Sequence, residues 1–107
     1  MQELPLESIP NQELSITFDT VRYVITLREG ASQTCTVSIT ANGNSVIDNV
    51  RAMPNQNLLP YAYLEGDGGN FAFLVNDGES YPYWEEFGIT QKLIYASPAE
   101  LEAIRNG

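Results

Sequence analysis

The sequence predicts an all-β fold, a single domain of six to seven antiparallel strands with a short C-terminal helix. Apolar and polar side chains alternate along several runs between residues 13 and 53, which is the period of a half-buried strand. Short turn sequences separate these runs, and Asn42-Gly43 is the strongest hairpin signal among them. Near the end of the chain, the segment Ser97–Glu100 has the spacing of a capping box that starts a helix. The 107 residues are enough for one small domain.

The elements follow one another in a simple order. Four early strands are expected at about 13–18, 21–29, 34–40 and 45–53, and because only short turns join them they form a meander. An irregular crossover follows, and then two strands at about 70–76 and 90–96 and the helix at about 98–105. The strands must close on one another to bury both apolar faces, which a small barrel and a sandwich achieve equally well.

Residues 1–12 are expected to form an extended N-terminal arm outside a domain of residues 13–107, because Pro5 and Pro10 disfavour a helix. The apolar arm residues then serve as interface residues, lying along a sheet edge of a neighbouring subunit. These residues are Leu4, Leu6 and Ile9. Deleting residues 2–10 is accordingly expected to weaken assembly while leaving the melting temperature of the domain almost unchanged.

The composition argues against several classes of function. Fourteen acidic and five basic residues give a net charge of −9, which disfavours nucleic-acid binding. Histidine is absent, so the commonest general base and the usual zinc ligand are missing, and we expect no catalytic residue and no cofactor. The single cysteine, Cys35, is expected to be a buried, unreactive thiol. No apolar run reaches the ~18 residues that span a membrane, and the N-terminus lacks a signal-peptide pattern.

The glycine-rich segment "YLEGDGGNFAFL" (residues 63–74) raises the question of a metal or ligand site. Glu65, Asp67 and Asn70 supply oxygen atoms, but a calcium loop of the EF-hand type needs a glutamate at its twelfth position. The residue there is Asn76, and no lysine or arginine lies near enough to hold a phosphate. Glycines that permit a positive φ explain the segment more simply, so we predict a turn without a metal.

Aromatic residues concentrate in the second half of the chain. Tyr81, Tyr83, Trp84 and Phe87 lie in an acidic segment broken by proline, which is typical of an edge strand or loop. Exposed tyrosine and tryptophan offer large contact areas at low entropic cost, so these four residues are the candidate protein interface. Two alternatives stay open: the rings cap the end of the domain, or the first three form the sugar-stacking platform of a small carbohydrate-binding module.

The acidic residues are unevenly distributed. No basic residue occurs between Arg51 and Lys92, so one region of the surface should carry a negative potential. Glu85 and Glu86 are adjacent and on a strand would point to opposite faces, which does not suit the paired carboxylates of a glycosidase. The simplest interpretation of this region is a solubilising face.

Three stretches of the sequence resemble the baseplate plug family of tailed phages. They are "ELPLESIPNQELSITFDTVRYVITLR" (residues 3–28), "NLLPYAYLEGDGGNFAFL" (57–74) and "YWEEFGITQKLIYAS" (83–97). The resemblance runs over nearly the whole chain in order, and "YLEGDGGNF" is its most specific part. It implies a small structural protein of a contractile-tail baseplate that has no catalytic residues. Cys35 is a departure that nothing in the family requires.

The resemblance also implies a location and partners. Family members lie at the centre of the baseplate, near the hub, the spike and the tail tube, and help to close the distal end of the tail. We therefore expect a virion protein, made in the host cytoplasm and present in a three-fold or six-fold assembly without a membrane partner. Negative walls would keep DNA from adhering in such a place, so the candidate channel-facing residues are Glu65, Asp67, Glu85 and Glu86.

Overall fold

The computed structural model describes residues 2–18, 20–30, 34–59, 68–76 and 81–106, which form two antiparallel sheets and one helix. The strands are β1 (Gln2–Leu4), β2 (Gln12–Phe18), β3 (Val21–Glu29), β4 (Cys35–Ala41), β5 (Asn44–Arg51), β6 (Asn70–Val75) and β7 (Gln91–Ala96). A short 3-10 helix covers Trp84–Glu86, and the helix α1 covers Pro98–Asn106. Strands β2 to β7 and α1 lie within two residues of their expected positions, whereas the sequence pattern does not predict β1.

Strands β2 to β5 form a four-stranded meander in chain order. Alternate residues of β3 from Val21 to Leu27 are buried, because this strand has neighbours on both sides and one face on the core. Asn42 and Gly43 both have a positive φ, of 52° and 84°. This is the backbone that a two-residue hairpin turn requires, so the hairpin predicted from these two residues is present.

The second sheet has the strand order β1-β7-β6. Phe73 of β6 lies opposite Leu93 of β7 in an antiparallel register. On the other side of β6, the backbone N–H groups of Asn55 and Leu58 donate to the carbonyl oxygens of Phe73 and Phe71 at 2.8 and 2.7 Å. The crossover between β5 and β6 therefore covers this edge of the sheet.

The first residues of the chain belong to the second sheet, which corrects the prediction of a separate arm. β1 pairs with β7 so that Leu4 lies opposite Leu93, and the Leu4 side chain is only 1% exposed. A deletion of residues 2–10 would remove this core side chain and a sheet strand. The prediction that this deletion leaves the melting temperature almost unchanged is therefore wrong. Leu4 is buried and cannot serve as an interface residue.

The two sheets pack face to face, with aromatic side chains between them. The ring of Tyr23 meets that of Phe71 edge-to-face at a centroid distance of 5.0 Å, and the ring of Phe18 stacks on that of Tyr95 at 3.8 Å. In the described part of the chain, no strand is hydrogen-bonded across the two sheets. The all-β prediction is confirmed, and of its two forms the sandwich is the correct one.

Helix α1 begins with the predicted capping box. The N–H of Glu100 donates to Oγ of Ser97 at 3.2 Å, and the N–H of Ser97 donates to Oε1 of Glu100 at 3.0 Å. Leu101, one turn into the helix, is 6% exposed and anchors α1 to the protein. Among the described residues, no helix is long and apolar enough to span a membrane.

Candidate interaction surface

Residues 81–90 lie beside the end of β6 as an irregular segment with two buried anchors. Pro82 is almost completely buried, and Phe87 is 3% exposed. The ring of Phe87 stacks on that of Phe73, with centroids 5.5 Å apart and planes inclined by 18°. The proline excludes a regular strand here, and the anchors hold the rest of the segment against the core.

A buried glutamine fixes the backbone of the same segment. Oε1 of Gln91 accepts the N–H of Tyr83 at 2.8 Å, and its Nε2 donates to the carbonyl oxygen of Tyr81 at 3.1 Å. The Gln91 residue is only 2% exposed, so these bonds replace the water that its amide loses on burial. The tyrosine side chains therefore extend from a fixed backbone.

The exposed carboxylate of Glu29, at the end of β3, joins two of the aromatic rings. Its Oε2 accepts a hydrogen bond from the hydroxyl of Tyr83 at 2.8 Å and another from Nε1 of Trp84 at 3.0 Å. The bonds from Trp84 and then Tyr83 lower the pKa of the Glu29 carboxyl below its ordinary value, because they favour the charged form. The hydrogen bond to Glu29 raises the pKa of Tyr83, because the neutral phenol donates it.

The N-terminal segment after β1 reaches the same place. The hydroxyl of Ser8 donates to the carbonyl oxygen of Trp84 at 3.0 Å and lies 3.2 Å from that of Glu85. The side chain of Gln12 closes the loop before β2 by bonding both the N–H and the carbonyl oxygen of Glu7. These contacts bring the region around Ile9 next to the 3-10 helix, although the two are more than seventy residues apart in sequence.

We define the aromatic patch as the surface formed by Ile9, Tyr81, Tyr83 and Trp84. Ile9 and Tyr81 are 39% and 41% exposed, and the other two are half-buried. The guanidinium carbon of Arg51 lies 6.0 Å from the centre of the Tyr81 ring, at the limit of a cation–π contact. Because hydrogen bonds already hold the rings of Tyr83 and Trp84, a partner that binds these two rings would lose little entropy in ordering them.

The sequence of this chain matches a known protein family over most of its length. The family model described as "Cyanophage baseplate Pam3 plug gp18" matches residues 1–98. The chain belongs to this family of baseplate plug proteins. The match spans both sheets and the aromatic patch and ends at the start of α1. A search of curated proteins finds no significant match.

Family membership supports a component of the phage tail baseplate, as the sequence resemblance implied. It also favours a structural rather than an enzymatic role. Among the described residues, no group of acidic or cysteine side chains is placed to hold a metal ion.

The structure separates the predicted interface residues of this plug-family chain into three groups. Ile9 and Tyr81 are exposed, while Leu6, Tyr83 and Trp84 are half-buried. Phe87, like Leu4, is buried in the core and is not available to a partner, so its assignment to the interface is wrong. Phe87 instead belongs to the core cluster, where its ring stacks on that of Phe73.

The candidate acidic residues are only partly described. Glu85 and Glu86 lie on the 3-10 helix and are both exposed, and Oε2 of Glu86 accepts a hydrogen bond from the Thr90 hydroxyl at 2.9 Å. Glu65 and Asp67 fall outside the described residues.

Asn70 has a structural position rather than a ligand-binding one. It is 1% exposed, and its side chain accepts the N–H of Leu59 at 3.0 Å and donates to the carbonyl oxygen of Leu59 at 2.9 Å. Its Oδ1 also accepts the N–H of Phe71 at 2.8 Å. These bonds tie the crossover to the first residues of β6.

Cys35 matches its prediction. The side chain is 3% exposed, and burial raises its pKa to about 11, so almost no thiolate exists at neutral pH. The thiol therefore packs as a small apolar group.

We expect Glu29→Gln to loosen the two rings that Glu29 holds. Trp84 is the single tryptophan, so its fluorescence reports this change directly. Because the folded pKa of Glu29 is lowered, its stabilising effect is complete above the ordinary glutamate pKa and is lost as the pH falls below that ordinary value and through the lowered folded pKa. Wild-type emission should shift to the red in that range, whereas the variant should start red-shifted and change little.

The matched control for this experiment is Glu102→Gln, a change to an exposed carboxylate on α1. It should keep the wild-type acid transition. An unchanged transition in Glu29→Gln would show that the hydrogen bonds to Glu29 do not hold the indole.

Proposed function

We propose that this protein is a non-catalytic structural subunit of a phage tail baseplate, where it plugs or lines the central hub region and contacts hub and spike proteins. The observation that carries the proposal is the family match over residues 1–98. The absence of histidine in the sequence agrees with a role without acid–base chemistry. Assembly in three or six copies around the tail axis, next to the tail tube, is part of the proposal.

The aromatic patch is the proposed contact with these baseplate proteins. It combines partly exposed tyrosine and tryptophan rings with an exposed isoleucine, the side-chain types that contribute most to protein interfaces. The rings of Tyr83 and Trp84 are tilted by 49° and share the Glu29 carboxylate through their polar edges. They form no flat common platform, so the geometry favours a protein partner over the alternative of a sugar ring.

The acidic surface has a separate proposed role. Glu85 and Glu86 are exposed side by side, and the chain carries a net charge of −9. If these residues, together with Glu65 and Asp67, face the tail channel, they repel the DNA backbone during passage. The same charge disfavours nucleic acid as a bound partner.

A complementation experiment tests the proposed contact. A phage lacking this gene is supplied with the wild-type protein or with the Tyr81→Ala/Trp84→Ala variant, and purified particles are assayed for the protein and for infectivity. Truncating one interface anchor costs about 2 kcal/mol, which is about 30-fold in affinity, so two truncations should weaken the contact about 1,000-fold and the variant should be nearly absent from the particles. Circular dichroism of the purified variant establishes that it is folded.

The control is Ile89→Ala, which truncates a 66% exposed apolar side chain of the same segment outside the patch. It should complement like wild type. Normal incorporation of the double variant would remove the patch from the proposal, and infectious particles that lack the protein altogether would contradict the function itself.

A further inference from the structure

The four lateral edges of the two sheets are protected to very different degrees. An unpaired strand edge is a template for another strand, so proteins usually blunt it. In the second sheet, the backbone of the crossover covers β6, and the opposite edge, β1, is only three residues long. Neither offers a long row of free backbone groups.

In the first sheet, the edge strand β5 is distorted. Val37 of β4 pairs with Val50 and Ile39 with Ile47, so two residues of β5 face one of β4. A second register shift follows directly, and Asn49 has a φ of 51°. Such bulges bend an edge and break the regular spacing that an added strand needs.

The remaining edge, β2, has none of these features. Its seven residues pair with β3 in one unbroken register, and it contains neither proline nor lysine. Among the described residues, no backbone group of another segment hydrogen-bonds to the outer side of β2. It is the one long and regular free edge in the described part of the molecule.

The backbone hydrogen bonds of Arg22 on β3 show which N–H and carbonyl groups of β2 point away from β3. The N–H of Arg22 donates to Oδ1 of Asn42, and its carbonyl oxygen accepts the N–H of Asn42, so both groups point toward β4. Its partner on β2, Thr17, is therefore in a non-hydrogen-bonded pair. By alternation, the N–H and carbonyl groups of Glu13, Ser15 and Thr17 face the free edge.

We propose that β2 pairs with β2 of a second copy of this chain, antiparallel and centred on Ser15. This register places Glu13 opposite Thr17 of the second copy and uses every outward backbone group, giving ~6 hydrogen bonds across the two-fold axis. The two four-stranded sheets would become one continuous sheet of eight. This inference does not rest on the proposed baseplate role.

The side chains of β2 fit this register on both faces. On the core side, the half-buried Leu14 lies opposite the half-buried Ile16 of the second copy, so each covers apolar surface that a single copy leaves partly exposed. On the outer face no like charges lie opposite each other, because Glu13 is the only charged residue of β2.

An opposite charge lies within reach of Glu13. Nε of Arg22 is 3.4 Å from Oγ of Ser15, so the Arg22 side chain leans toward the free edge. In the paired sheet, Arg22 of one copy and Glu13 of the other lie on the same face, two strands apart. Their backbones are then roughly 10 Å apart, a distance that the two long side chains can span.

Sedimentation equilibrium of the purified full-length protein tests the proposal. The mass should rise from 11.9 kDa toward twice that value with concentration, and the amides of Glu13, Ser15 and Thr17 should gain protection from hydrogen exchange in parallel. Glu13→Lys should raise the dissociation constant about tenfold, since the like-charge contact occurs twice in the pair. Arg22→Glu combined with Glu13→Lys should restore pairing.

Two further variants complete the test. Ser15→Pro removes the outward N–H at the centre of β2, which makes no hydrogen bond to β3, so it should abolish pairing. Glu102→Lys, on α1, should leave pairing unchanged. A protein that stays at 11.9 kDa at every concentration, or pairing that survives both Glu13→Lys and Ser15→Pro, would overturn the proposal. Protection of these amides only in assembled particles would also overturn it, because the occupant would then be another protein.

Discussion

Replacing Gly69 by alanine should lower the free energy of unfolding by about 3 kcal/mol, one of the largest effects of any single change in this protein. A methyl group at this position would overlap the carbonyl oxygen of Ala96 and crowd the ring of Tyr95. Both residues belong to β7, and the N–H of Gly69 donates to the Tyr95 hydroxyl at 3.0 Å. Because the main obstacle is backbone, the chain entering β6 would have to move away from β7. Urea unfolding followed by circular dichroism measures the loss.

Gly43→Ala is the matched control for this prediction. Gly43 has a φ of 84° but no atom within 4 Å of the added methyl group, so only backbone strain opposes the change. The expected cost is about 1 kcal/mol. If the two variants were equally stable, the close approach of residue 69 to β7 would be wrong.

Leu4→Ala should cost about 3 kcal/mol, the typical effect of removing a leucine from a packed core. The side chain is 1% exposed, and its strand β1 pairs with β7, so that the two ends of the chain are joined in one sheet. Thermal unfolding of the purified protein measures the effect. Weakening β1 should also disturb the aromatic patch, because the segment that follows β1 carries Ser8 and Ile9.

Glu3→Ala provides the comparison within the same strand. The Glu3 side chain is 53% exposed and lies 3.9 Å from Nζ of Lys92, an exposed ion pair. Its loss should change the stability by no more than about 0.5 kcal/mol. A Leu4→Ala variant with the melting temperature of wild type would restore the picture of an independent arm.

The elements that sequence reasoning could predict are those encoded locally. The alternation in β3, the hairpin residues Asn42 and Gly43, and the capping box at Ser97 act over a few residues, and each appears in the structure. β1 could not be predicted in this way. It has only three residues and pairs with a strand about ninety residues away, so its existence depends on tertiary contacts alone.

The candidate interaction surface likewise combines features that are encoded locally with features that depend on tertiary contacts. Composition and the proline at residue 82 locate the aromatic segment, but they do not distinguish the buried Phe87 from the exposed Tyr81. Glu29 and Ser8 were missed because the groups that they bind lie more than fifty residues away in sequence. Nothing local marks a glutamate at the end of a strand as the partner of a tyrosine and a tryptophan.

The most direct test of the account is the position of this protein in the intact particle. Cryo-electron microscopy of purified tails, before ejection, should show a two-sheet sandwich at the centre of the baseplate, next to the hub, with the aromatic patch against a neighbouring protein. Density for the sandwich only at the periphery of the tail, or its absence from intact baseplates, would contradict the proposed role.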